Sequence, residues 1–140
     1  NAAGKTYRYR IWNSEEPCVF LRRYVWCMPE KLDVEAMNRA SEKLLGEHDF
    51  SAFCGNRKMK KSTVRRIDAL KITRRGNELQ ITVTGDGFLY NMVRILVGTL
   101  VEVGQGRRSP ESIPALFGAP REQAGFLAPP QGLCLMEVTY

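Results

Sequence analysis

Between Asp86 and Glu102 the chain carries one charged side chain, Arg94, inside the stretch Phe88-Leu89-Tyr90-Asn91-Met92-Val93-Arg94-Ile95-Leu96-Val97. Leu89, Met92, Val93, Leu96, Leu100 and Val103 recur mostly at three- and four-residue spacing. That period predicts a helix over Phe88 to Val103 whose apolar surface other elements must cover. A guanidinium on such a helix has two outcomes. Its stem covers apolar surface while its head reaches water, or the head meets a carboxylate or phosphate in a dry site. Burial without an anion is costly. Spacing alone leaves both outcomes open.

The segments around this helix point to a sheet that could cover it. Lys5 to Trp12 alternates, with Tyr7, Tyr9 and Ile11 on one face and Arg8 and Arg10 on the other, the pattern of a half-buried strand. Asn13 to Pro17 reads as a turn, and Cys18 to Met28, rich in Val, Phe, Tyr and Trp, as a second strand. Asp33 stands where a helix N-cap belongs, followed by Ala36, Met37, Ala40, Leu44 and Leu45 at helical spacing and Gly46 as a stop. Glu47 to Cys54 reads as a loop with a turn of helix, and Arg57 to Lys61 as a basic loop. Ile67 to Thr73 and Glu78 to Thr84 flank Arg75-Gly76-Asn77, a hairpin turn. Ser109-Pro110-Glu111-Ser112 opens a short helix with Ser109 as its cap. A Gly- and Pro-rich loop follows, and Leu133 to Tyr140 closes as a strand. Strands and helices are interspersed without a βαβα rhythm. The expected class is α+β, a mostly antiparallel sheet with helices packed on one face, in one domain over residues 1–140.

Charge narrows the partners. Lys and Arg number 21 against 15 Asp and Glu, a net charge of +6, which attracts polyanions, RNA foremost. Arg57, Lys58, Lys60, Lys61, Arg65 and Arg66 put six positive charges in ten residues, enough to follow a phosphate backbone or to form an ordinary solvated loop. Tyr7 and Tyr9 share a strand face, which suits core packing and also the stacking of an unpaired base. Cys18, Cys27, Cys54 and Cys134 lack zinc-ligand spacing. Their apolar surroundings read as reduced thiols of a cytosolic protein. His48 has no second His or Cys nearby, so no metal is expected. No apolar run is long enough for a membrane span. The chain opens on Asn1 rather than Met, and a further segment upstream is expected. A Ser-His-Asp or Cys-His arrangement, a phosphate-binding glycine loop and paired carboxylates are all missing, which disfavours an independent enzyme of another class.

In order along the chain, several pieces resemble the C-terminal half of TruA-type tRNA pseudouridine synthases. They are Lys5-Thr6-Tyr7-Arg8-Tyr9, Leu45-Gly46-Glu47-His48-Asp49-Phe50 with Ala52-Phe53, Thr63-Val64-Arg65-Arg66-Ile67, and Phe88-Leu89-Tyr90-Asn91-Met92-Val93-Arg94. Val97-Gly98, Val103-Gly104, Arg121, Ala124-Gly125, Ala128-Pro129 and Gly132-Leu133 follow, running to Val138 and Tyr140. The resemblance covers essentially the whole chain. It implies half of a pseudouridine-synthase fold and an isomerase that converts uridine to pseudouridine in the anticodon stem-loop of tRNA. It implies no cofactor, a cytoplasmic location and a homodimer. The family's nucleophile is an aspartate in a Gly-Arg-Thr-Asp-Ala-Gly motif of the N-terminal half. That motif is not in this sequence, and Asp33, Asp49, Asp68 and Asp86 stand in other contexts. The chain alone is therefore expected to be inactive. By resemblance, Tyr7 is the tyrosine that stacks on the flipped uracil, and Arg94 the arginine that pairs with the catalytic carboxylate. Arg57, Lys58, Lys60 and Lys61 are the expected RNA contacts. The alternative is a stand-alone, non-catalytic RNA-binding module.

Overall fold

A computed structural model describes residues 3–56, 58 and 61–140. Its strands are β1 (Gly4–Trp12), β2 (Trp26–Cys27), β3 (Gly46–Asp49), β4 (Val64–Arg75), β5 (Glu78–Gly85) and β6 (Leu133–Thr139). Its helices are α1 (Val34–Glu42) and α2 (Met92–Gly104), joined by short 3-10 turns. The strands form one six-stranded sheet in the order β2-β1-β5-β4-β3, with β6 also paired to β1. Every pairing is antiparallel except β1 with β2. The class is the α+β expected from sequence.

Alternation explains which face is covered. Tyr9 and Ile11 of β1 and Leu79, Ile81 and Val83 of β5 are buried, while Arg8 lies beside Thr82 and Arg10 beside Gln80 in the register between them. The buried row meets α1 and α2, which also pack on each other. α2 is buried nearly all round: Val93, Ile95, Leu96, Val97, Leu100 and Val101 all lie in the core. A 13-residue helix so apolar is a central element rather than a surface one. Asp33 caps α1 by accepting from the Ala36 amide at 3.0 Å, a bond whose removal costs about 1 kcal/mol. Between β4 and β5, Gly76 takes φ +61, the left-handed geometry a tight hairpin requires.

Five segments differ from the sequence reading. Of Cys18 to Met28 only Trp26–Cys27 is strand, and it runs parallel to β1. Residues 19–24 turn back instead, with Phe20, Arg22, Arg23 and Tyr24 exposed, because no partner strand accepts their backbone. That reversal brings Cys18 and Cys27 into a disulfide with Cα atoms 6.7 Å apart. It corrects the reading of four reduced thiols; Cys54 and Cys134 remain free. α2 begins at Met92, not Phe88, because Asn91 sits at φ 60, outside the helical region. Gly46–Asp49 is strand paired to β4, where a loop was expected, and the expected turn of helix follows at Ser51–Phe53. α1 stops at Glu42, and Gly46 at φ +95 starts the next strand. The segment opened by Pro110 is a 3-10 helix to Leu116, and Ser109 makes no side-chain capping bond.

Candidate active site

The two residues singled out for a site come from separate elements. β1 presents Tyr7, two positions before fully buried Tyr9, and the first turn of α2 presents Arg94. They line one cavity of about 240 Å³ together with Phe88, Tyr90, Asn91 and Leu133. Tyr7 meets Phe88 edge to face, ring centroids 5.3 Å apart, which fixes the tilt of its ring. Leu133 begins β6 and closes one side. Larger cavities exist, one of about 470 Å³ between Ser51, Thr63 and Gly118–Glu122. The smaller one brings a phenol and a guanidinium to the same wall, and that chemistry, not volume, marks it.

Arg94 is held by its surroundings rather than left to snorkel. Its Nε donates to the Ala128 carbonyl at 2.8 Å, and Nη1 lies 3.4 Å from the Asn91 side-chain oxygen. In return the Ala128 amide donates to the Arg94 carbonyl at 3.1 Å. Among the described residues no carboxylate forms a salt bridge with Arg94. With Nε committed to a carbonyl, the terminal nitrogens are the donors left to meet an oxyanion.

The acceptor loop is fastened along α2. The Gly125 amide donates to buried Thr99 Oγ1 at 2.9 Å, and the Phe126 amide to Glu102 Oε2 at 3.0 Å. Gly98 makes this approach possible, since a Cβ there would overlap the Phe126 carbonyl oxygen. Beyond Ala128, the Tyr9 hydroxyl donates to the Pro129 carbonyl at 2.5 Å. Burial pushes the Tyr9 phenol pKa well above its usual range, against a smaller opposing pull from the Arg94 charge, so Tyr9 stays a neutral donor.

Two of the four lysines and arginines expected to meet RNA fall among the described residues. Lys58 and Lys61 are exposed and do not line the cavity, while Arg57 and Lys60 fall outside the described residues. Just before that segment, the Gly55 amide donates to the Tyr90 carbonyl at 2.8 Å, tying its base to the cavity rim. No cluster of metal-ligating side chains occurs among the described residues, and none of their helices is long and apolar enough to cross a membrane.

Sequence reasoning did not single out Asn91, Phe88 or the Ala128–Pro129 carbonyls. For Asn91 a signal existed, because asparagine is enriched in left-handed backbone. It is the one non-glycine with positive φ among the described residues. Backbone carbonyls leave no residue-type signal, so the Arg94 acceptor could be found only from the fold.

A family model described as tRNA pseudouridine synthase matches residues 40–140. The chain is 47% identical over 138 residues to tRNA pseudouridine synthase A 2 of Clostridium perfringens, covering 98% of this chain and 57% of the relative. It is 44% identical over 141 residues to tRNA pseudouridine synthase A of Geotalea uraniireducens, covering 100% of this chain and 58% of that protein. The corresponding protein of Moorella thermoacetica is 47% identical over 140 residues, 57% of its length. The chain thus spans somewhat more than half the length of these curated relatives, and it belongs to the tRNA pseudouridine synthase family.

Proposed function

We propose that this chain is the C-terminal part of an enzyme that isomerises uridine to pseudouridine in the anticodon stem-loop of tRNA. The observation that carries the reading is the shared cavity of Tyr7 and Arg94, an aromatic ring beside a guanidinium whose Nε is already satisfied. In the reaction the bond from ribose C1′ to N1 breaks and a bond from C1′ to C5 forms. The C5 proton is lost and N1 gains one, so no redox partner is needed. An aspartate from a segment beyond this chain serves as nucleophile. Arg94 binds its carboxylate, holding it ionised and aimed. Tyr7 offers a ring on which the extruded uracil stacks, replacing the neighbours it leaves in the RNA. Arg57, Lys58, Lys60 and Lys61 follow the tRNA backbone, a role that the net charge of +6 supports. The same reading takes the complete protein as a cytoplasmic homodimer without a cofactor.

The test is turnover by the complete protein on tRNA transcripts carrying tritium at uridine C5. Release of tritium to water at catalytic protein concentration supports the reading. Tight tRNA binding with no release would instead favour a non-catalytic RNA-binding module.

A further inference from the structure

We propose that Tyr9 and Thr99 are positioning residues for Arg94, acting through the backbone of residues 124–130. The inference rests on the reading of Arg94 as the partner of the nucleophilic carboxylate. Neither residue lines the cavity, and both are fully buried. Each spends a hydroxyl on the segment that holds the guanidinium.

The segment has no strand or α-helix of its own between the 3-10 turns at Arg121–Gln123 and Pro130–Gly132. Its course is set by discrete attachments. Upstream of Ala128, Thr99 Oγ1 donates to the Ile95 carbonyl at 2.8 Å, which orients it to accept from the Gly125 amide at 2.9 Å. Downstream, the Tyr9 hydroxyl donates to the Pro129 carbonyl. The Ala128 carbonyl that accepts from Arg94 Nε lies between these anchors. A loop fixed on both sides of one carbonyl fixes that carbonyl, and therefore the plane of the guanidinium bound to it.

Packing leaves little alternative placement. A Cβ on Gly125 would come 2.6 Å from the Thr99 Cα, and one on Gly132 would come 2.6 Å from the Tyr9 ring. The backbone thus lies directly on both anchoring residues. Tyr9→Phe keeps the ring and leaves the half-buried Pro129 carbonyl without its donor. Valine at 99 keeps the shape and leaves the Gly125 amide without its acceptor. Buried groups in that state seek new partners, and the segment moves to find them. Because catalysis is sensitive to sub-ångström placement, the loss falls on turnover rather than on tRNA binding.

The experiment uses the complete protein with Tyr9→Phe, Thr99→Val and Thr99→Ser, each confirmed folded by its melting transition. Solvent exchange of the Arg94 Nε–H, assigned by its disappearance in Arg94→Lys, reports the Ala128 bond directly. The expected result is exchange at least about tenfold faster in Tyr9→Phe and Thr99→Val, with kcat lowered about tenfold and the KM for tRNA unchanged. Thr99→Ser, which keeps the hydroxyl, recovers most of what Thr99→Val loses. Unchanged exchange in both hydroxyl deletions overturns the proposal, as does faster exchange with undiminished turnover. If the unsubstituted protein forms no pseudouridine, the functional reading falls, while the exchange measurement still decides whether Tyr9 and Thr99 hold Arg94.

Discussion

Arg94 and Ala128 bind each other twice: the Ala128 amide donates to the Arg94 carbonyl at 3.1 Å, and Arg94 Nε donates back to the Ala128 carbonyl at 2.8 Å. This reciprocal pair resolves the oddity of a lone charge in an apolar helix. Arg94 is half-buried, with Nε satisfied by backbone and Nη1 near the Asn91 side-chain oxygen, and it lines a cavity shared with Tyr7.

Lysine cannot reproduce this arrangement, because an ammonium has no fork and no separate Nε donor. Arg94→Lys in the complete protein is expected to lower kcat by about a hundredfold while leaving the KM for tRNA near its original value. Steady-state kinetics on unmodified tRNA checks it. A parallel rise in KM would mean that Arg94 serves binding instead.

Tyr7 is expected to act through its ring. Tyr7→Ala removes both the stacking surface and the contact with Phe88, and turnover should fall by about a hundredfold, the scale of roughly 1–3 kcal/mol per stacked base. Tyr7→Phe keeps the ring and should keep tRNA affinity. Comparing tRNA dissociation constants and single-turnover rates of the two variants tests this.

Gly98→Ala should be disproportionately harmful for one methyl group. The added Cβ meets a backbone carbonyl, Phe126, which cannot rotate away as a side chain could. Overpacking of this kind costs about 1–3 kcal/mol, and it also lifts the loop that carries Ala128. Urea denaturation should show the loss, and turnover should fall with it.

Much of this was legible in the sequence, and the residues show why. The alternation in β1 and β5, the Asp33 cap and the Gly76 turn are local signals, set by period or by a single residue's backbone preference. Arg94 was conspicuous because charge is rare in an apolar run. The failures were nonlocal. Cys18 to Met28 has strand-like composition, yet only Trp26–Cys27 finds a partner in the sheet. The Cys18–Cys27 bridge depends on a chain reversal that spacing does not reveal. Gly46–Asp49 becomes strand because β4 offers an edge. The resemblance named Tyr7 and Arg94 for separate roles in one site; that both line one cavity, about 90 residues apart in sequence, follows from topology rather than local periodicity.

An acid-sensitive element of stability lies on the outer sheet face. Arg10 binds Glu78 through both its Nε and its Nη2, at 3.0 and 2.7 Å. Those bonds hold the Glu78 carboxyl below its ordinary pKa, against the opposing effect of burial. A lowered carboxylate pKa means that its stabilisation is complete above the ordinary glutamate range and is lost as the pH falls through the folded-state value. The pair is partly exposed, so its contribution is at most about 1 kcal/mol. Glu78→Gln should flatten that part of the acid limb in a stability–pH profile.

The free edge of β6 predicts the behaviour of the chain on its own. Leu135 and Met136 are each 48% exposed on a strand whose partner among the described residues is β1, and Tyr140, just past its end, is 87% exposed. An open edge with apolar side chains invites pairing with another chain. Sedimentation of this chain alone should show mass rising with concentration. A monomer throughout would mean that β6 needs no cover.

The most direct test of the central claim is to map pseudouridine in unmodified tRNA after incubation with the complete protein, unsubstituted and as Arg94→Ala. Pseudouridine is expected in the anticodon stem-loop with the unsubstituted protein, and none with Arg94→Ala although both bind tRNA. No pseudouridine from the unsubstituted protein, or undiminished formation without Arg94, would contradict the claim.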